Sequence, residues 1–171
     1  MKKTILSVLL VLLLSFVLIG CKDEEPEEFD PSLPDDLKSF LNSKNSGLAS
    51  RIQVPENTNF DKWQQVGSNI VYIAWSDADD DKWAAYKTKW GAAVKPSINA
   101  RGILSLADAT GAEELTVQGM NPVFIEFYKK SGTFSDTGEN IASNPEDPDN
   151  PIVTGGFEIS ANTIVFYGVI N

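Results

Sequence analysis

One six-residue run limits the fold of this chain more than any other feature. Ile70-Val71-Tyr72-Ile73-Ala74-Trp75 is built from β-branched, aromatic and small apolar residues, and it has no polar residue at any position. A strand with this pattern is apolar on both of its faces. The run therefore predicts a central strand of a sheet that is covered on both sides.

An amphipathic helix is predicted shortly after this strand, over Lys82–Val94. The residues that recur there at helical spacing are Trp83, Tyr86, Trp90 and Val94. Lysines lie on the flanks of that apolar stripe. Pro96 is expected to end the helix, because proline lacks the backbone N–H that an interior helical position donates.

Further strands are predicted along the rest of the chain, each bounded by turn residues. They are Ile103–Leu106, Glu114–Val117, Val123–Tyr128, Ile152–Ser160 and Thr163–Ile170. Weaker patterns predict a short helix around Leu37–Leu41, a brief strand at Arg51–Val54 and a helical turn at Asn59–Trp63. The expected fold class is α+β, a single domain in which a mostly antiparallel sheet carries one principal amphipathic helix.

The start of the chain has the pattern of an export signal. Two lysines precede an apolar stretch from Ile5 to Ile19, and Gly20 stands directly before the only cysteine, Cys21. The run Leu18-Ile19-Gly20-Cys21 resembles the lipobox of bacterial lipoprotein precursors. That resemblance implies cleavage before Cys21, a diacylglycerol on its thiol and a palmitate on the new amino terminus. The alternatives are a transmembrane anchor, which needs about 20 apolar residues, and a secretory signal cleaved without lipid.

A dense acidic run follows the cysteine. Its first residues, Lys22, Asp23, Glu24 and Glu25, resemble the sorting signal of surface lipoproteins in the Bacteroidota. The resemblance implies a location on the outer face of the bacterial outer membrane, and the alternative is an acidic spacer on a periplasm-facing lipoprotein. The expected organisation is a signal peptide at 1–20, an acylated acidic tether at 21–36 and one globular domain at 37–171.

Composition excludes several classes of partner and chemistry. The formal net charge is -10 and no basic cluster is present, so nucleic acid is not an expected partner and membrane contact is expected through the lipid. There is no histidine, and the one cysteine is assigned to the lipid. This excludes Ser-His-Asp and Cys-His nucleophile systems and histidine-bearing metal sites. No cofactor is expected.

Three alternating aspartates, Asp77, Asp79 and Asp81, are the one candidate metal site. Carboxylates in this pattern can offer several hard oxygen ligands to Ca²⁺, although an EF-hand loop beginning at Asp77 would need glycine where Lys82 stands. The alternative is a helix start in which Ser76 or Asp77 is the N-cap and the later aspartates occupy the first turn.

Trp63 is the candidate ligand-binding residue, because it stands in a polar stretch where a half-exposed indole can stack on a sugar ring. The other tryptophans are expected to pack in the core. The proline-rich acidic segment 144–151 is expected to form an exposed loop. Carboxylate pairs of the kind that glycosidases use could be assembled from Glu126, Glu139 and Glu158.

These patterns favour a non-enzymatic, lipid-anchored envelope protein whose domain binds an extracellular or envelope protein or a glycan. One alternative is a glycan-binding accessory lipoprotein that uses Trp63. A second is an immunity or inhibitor lipoprotein that blocks a toxin or hydrolase with its acidic surface, and the third is a hydrolase that relies on carboxylates alone.

Overall fold

The computed structural model describes residues 27–97, 109–135 and 156–171. It has the predicted α+β class, with two short helices and a mostly antiparallel set of strands. The helices are α1 (Asp35–Lys44) and α2 (Asp80–Trp90). The strands are β1 (Asn59–Val66), β2 (Ile70–Ser76), β3 (Lys95–Pro96), β4 (Ala109–Val117), β5 (Met120–Tyr128), β6 (Gly132–Ser135), β7 (Gly156–Ile159) and β8 (Thr163–Ile170).

Six strands form one antiparallel sheet in the order β1-β2-β8-β5-β4-β3, and β6 pairs with β7 in a separate ribbon. Strand β2 contains the run Ile70–Trp75 and lies between β1 and β8. Every residue of that run is buried, so the prediction of an interior strand covered on both faces is confirmed. Strand β8 has the predicted bounds and lies in the middle of the sheet.

Both helices pack on the same face of the sheet. Leu37 and Leu41 of α1 and Trp83 and Tyr86 of α2 are buried in one core with side chains from β2, β5 and β8. On the opposite face, a second core contains Tyr72, Phe124 and Tyr167 together with Ile159 of β7. Burial of these apolar surfaces supplies the main stabilisation of the fold.

The helix after β2 ends earlier than predicted. It stops at Trp90, and Gly91 follows with φ of 62°. Glycine reaches this left-handed conformation at little cost, so Gly91, and not Pro96, ends the helix. Val94 therefore lies beyond it, half-buried against the first core.

Two of the weaker local predictions are wrong. Asn59–Trp63 belongs to strand β1 and is not a helical turn, because a bulge between Phe60 and Lys62 breaks the alternation that would have marked a strand. Arg51–Val54 is not a strand, since Arg51 ends a 3-10 turn and Ile52 continues into irregular chain. The predicted strand Ile103–Leu106 lies outside the described residues.

The chain before α1 is attached to the domain by a segment that we call the strap, Phe29–Leu33. Leu33 is buried in the first core, and the carbonyl of Pro31 accepts a hydrogen bond of 2.8 Å from Trp75 Nε1. The backbone N–H of Phe60 donates to the carbonyl of Asp30 at 2.8 Å. The Phe29 ring lies 4.5 Å from Lys82 Nζ. Among the described residues, packing thus begins at Phe29, which is earlier in the chain than the expected boundary at residue 37.

Neither α1 nor α2 has the length and apolar character needed to cross a bilayer, and the described ranges contain no other helix that does.

Candidate functional site

Several residues singled out from the sequence lie outside the described residues. They are the predicted lipidation residue Cys21, the predicted sorting residues Lys22, Asp23, Glu24 and Glu25, and Glu139, together with the segment 144–151. The remaining candidates, Trp63, the three alternating aspartates, Glu126 and Glu158, fall in described segments.

The aspartate loop is organised as a helix start. Asp79 is the N-cap of α2, and its Oδ1 accepts a hydrogen bond of 2.8 Å from the backbone N–H of Lys82. Asp80 and Asp81 occupy the first turn, where the positive end of the helix dipole stabilises carboxylates. The cap is thus two positions later than Asp77 and three later than Ser76.

Asp77 serves a different contact. Its backbone has φ of 58°, and its Oδ2 accepts a hydrogen bond of 2.6 Å from Asn59 Nδ2. Its carbonyl accepts a second bond of 2.7 Å from Lys82 Nζ. Within the segments that the structure describes, no group of three or more His, Cys, Asp or Glu side chains is arranged to hold a metal ion.

These contacts predict that calcium leaves the stability of the domain unchanged. Asp79 Oδ1 and Asp77 Oδ2 are already used as acceptors. A bound ion would stabilise the fold by an amount that rises with the logarithm of its free concentration over its dissociation constant. Thermal unfolding of the full chain in chelator and in millimolar calcium should give coincident midpoints. Asp79→Ala should lower both midpoints equally, by the equivalent of about 0.5–2 kcal/mol. An upward shift in calcium that disappears in Asp79→Ala would establish a metal site.

Glu126 and Glu158, two of the candidates for a catalytic carboxylate pair, are described, and their environments differ. Glu126 on β5 is fully buried, and its Oε2 accepts a hydrogen bond of 2.6 Å from the Tyr128 hydroxyl. Glu158 on β7 is exposed, and its backbone carbonyl accepts a bond from Lys62 Nζ at 2.7 Å. The Glu126 carboxylate is thus part of the second core, whereas that of Glu158 faces solvent.

The strongest candidate for a binding surface lies where α1 runs beside the edge strand β1. Trp63 of β1 and Phe40 of α1 are both half-buried, and their ring centroids are 5.3 Å apart with an interplanar angle of 30°. Lys44 Nζ lies 5.6 Å from the centre of the Phe40 ring. We call Trp63, Phe40 and Lys44 the aromatic–lysine strip.

Helix geometry explains why this strip forms. Asp36, Phe40 and Lys44 are spaced four residues apart, so they lie along one face of α1 with about 6 Å of rise between successive members. Asp36 Oδ2 accepts a hydrogen bond of 3.1 Å from Trp63 Nε1, which fixes the indole beside the helix. Sequence reasoning identified Trp63 and missed Phe40 and Lys44, although the spacing of the three helix residues is visible in the sequence.

Lys44 differs from most of the lysines that the structure describes. Five of them form ion pairs with carboxylates, namely Lys38, Lys62, Lys87, Lys89 and Lys129. The bond from Lys89 also lowers the pKa of Glu56. Lys44 is exposed and forms no such pair with any described carboxylate. Its ammonium group is thus not neutralised by a carboxylate of residues 27–97, 109–135 or 156–171.

A groove lies on the other flank of α1, with a volume of about 400 Å³. Its floor is apolar, from Leu33, Ile52 and Val54, and its rim carries Lys38 and Asn42. Lys38 is paired with Asp35 at 3.1 Å. Two hydrogen bonds from Ser32 lower the pKa of Asp30, and the charge of Lys38 adds a smaller lowering. The cation at this rim is thus already balanced by acidic neighbours, unlike Lys44.

No protein-family model matches the chain, and neither a curated protein sequence nor a solved structure matches it.

Proposed function

We propose that this chain is a lipid-anchored lipoprotein of the bacterial outer membrane, exposed on the cell surface, whose domain binds a partner without catalysis. The observation that carries the proposal is the run Leu18-Ile19-Gly20-Cys21 at the end of an export signal. The only cysteine of the chain stands at the position that would be acylated. Two or three acyl chains give stable anchoring, whereas a single one gives only marginal binding.

The strap limits how far the domain can stand from its anchor. Because packing among the described residues begins at Phe29, the proposed anchor and the strap are joined by Cys21–Glu28, which we call the leash. Eight residues can span at most about 28 Å. A tether that reached residue 36 would have spanned about 55 Å. The acidic leash therefore holds the domain close to the membrane, and the first residues of the leash are the sorting residues Lys22 to Glu25.

Replacing Cys21 with alanine tests the anchor. We expect the variant to incorporate no alkyne fatty acid and to leave the membrane fraction completely, because the lipid is the proposed attachment. Labelling followed by fractionation of cells measures both properties. Ser15→Ala is the matched control, since it alters the signal without touching the lipobox, and it should label and fractionate like the parent protein. Incorporation of label into the Cys21 variant would refute the proposal.

The membrane face is decided separately by protease treatment of intact cells that express the parent protein. Surface exposure predicts loss of the domain without lysis, and a periplasm-facing lipoprotein would be protected until the outer membrane is opened.

A more specific candidate is glycan binding, and the aromatic–lysine strip favours it. Aromatic rings provide flat apolar faces for sugars, and the Trp63 and Phe40 rings adjoin each other on one edge of the molecule. Loss of polysaccharide binding in Trp63→Ala, with retention in Trp83→Phe, would support this candidate, since Trp83 is buried. Equal binding by the parent protein and Trp63→Ala would contradict it.

A further inference from the structure

We propose that the aromatic–lysine strip binds an acidic sugar unit of an extracellular polysaccharide. In this arrangement the sugar ring packs on Phe40 and Trp63, and its carboxylate contacts the Lys44 ammonium. The inference rests on the proposed binding function and adds the chemical class of the ligand.

The two rings supply a prepared surface for the sugar. Trp63 is held by its 3.1 Å bond to Asp36 and by its contact with Phe40, so little side-chain entropy remains to be lost on binding. Both residues pack against the first core with part of their surface still accessible. A half-buried ring that is fixed in place suits stacking better than a freely rotating one.

The positive charge of Lys44 favours a ligand that carries a negative charge. It lies over the Phe40 ring, at the end of α1, without a carboxylate partner among the described residues. A carboxylate placed there would gain a charge-assisted hydrogen bond. The next residues of the chain, Asn45 to Val54, include Arg51 and contain no acid.

This stretch, which has a cation and no acid, contrasts with the net charge of -10 of the whole chain. Arg51 donates to the carbonyls of Gln118 and Ser46 and to Asn45 Oδ1, so its charge is fixed close to the end of α1. By contrast, the strap end of the domain carries Asp77, Asp79 and the first turn of α2. Asp36, the acid on the same face of α1, is eight residues from Lys44, which is about 12 Å of helical rise. That separation exceeds the screening length of about 8 Å at physiological salt, so an anionic group at the Lys44 end meets little repulsion from Asp36.

The test measures binding of detergent-solubilised full-length protein to immobilised polygalacturonate, a polymer of acidic sugars, and to neutral dextran. We expect binding to polygalacturonate that weakens as salt is raised. Lys44→Gln should weaken it about 3- to 5-fold, the range expected for one exposed ion pair. Trp63→Ala should weaken it about 10-fold, with the far-ultraviolet circular dichroism of each variant recorded to establish that it is folded. Lys129→Gln is the matched control, because it removes the same charge beside Asp80, and its binding should equal that of the parent protein.

Three results would overturn the inference. They are absence of polygalacturonate binding, binding that both Lys44→Gln and Trp63→Ala leave unchanged, and equal affinity for dextran and polygalacturonate. If the two polymers bind equally and Trp63→Ala abolishes that binding, glycan binding would be supported and only the specificity for acidic sugars would be refuted. None of these outcomes bears on the Cys21 anchor, which is read by membrane fractionation.

Discussion

Replacing Trp75 with alanine should lower the free energy of unfolding by about 3–5 kcal/mol, the cost of removing a large aromatic side chain from a packed core. Trp75 is fully buried in β2, its ring centroid lies 6.1 Å from that of Tyr86, and its Nε1 donates to Pro31. One substitution would thus open a cavity beneath α2 and release the strap. Domains of this size have about 5–15 kcal/mol of stability, so urea unfolding of the full chain should show a large loss.

Trp75→Phe separates the two contributions. It keeps most of the ring but removes the Nε1 donor, so we expect a smaller loss of about 1–3 kcal/mol from the unsatisfied Pro31 carbonyl and the reduced volume. The strap should also become more sensitive to limited proteolysis at Phe29, which measures its attachment directly. A change of less than 1 kcal/mol in Trp75→Ala would show that this site tolerates a cavity.

Gly111→Val should destabilise the domain by about 1–3 kcal/mol or more through overpacking. Gly111 lies in β4 beneath α2, and a Cβ at this position would come within 2.8 Å of Trp83 Nε1 and 3.1 Å of its Cζ2. The indole has little room to retreat, because Trp83 is buried and its ring centroid lies 6.0 Å from that of Phe127. Thermal unfolding measures the loss, and altered tryptophan fluorescence should accompany it.

Gly67→Asn is the control for this substitution. Gly67 has φ of 59° with no atom within 4 Å of a Cβ placed there, and asparagine tolerates the left-handed conformation better than most residues. We expect a change of no more than about 0.5 kcal/mol in the free energy of unfolding, the usual scale for surface substitutions. Gly111→Val with the same small effect would mean that α2 can move away from the sheet without cost.

The parts of the fold that were predicted from the sequence share one physical property. Strands β2 and β8 are buried on both faces, so each is a continuous apolar run in the sequence. Such a run identifies a buried strand even when its neighbours in the sheet are not known. The α+β class followed from them and from the aromatic spacing of α2. Pro96 predicts a later end of α2 than the structure has, because Gly91 with its positive φ ends the helix first.

Strand β1 and the aromatic–lysine strip were harder to predict, because they depend on contacts between distant residues. As an edge strand, β1 carries polar side chains, and its bulge disturbs the alternation of polar and apolar positions. Trp63 could be singled out as an unexplained aromatic residue. Its contact with Phe40, 23 positions earlier, requires α1 to lie beside β1, and no local pattern specifies that placement.

The position of β8 constrains when the domain can form. Among the described strands, β8 joins the β1–β2 pair to the β5–β4–β3 group, and Ile70 pairs with Val169, 99 positions further on. Pairings over such distances close slowly, and here they must wait until residue 170 has left the ribosome. A chain exported as proposed would therefore reach a secretion pore with its sheet still incomplete. The order of the strands is thus compatible with the proposed export of the chain in an extended state.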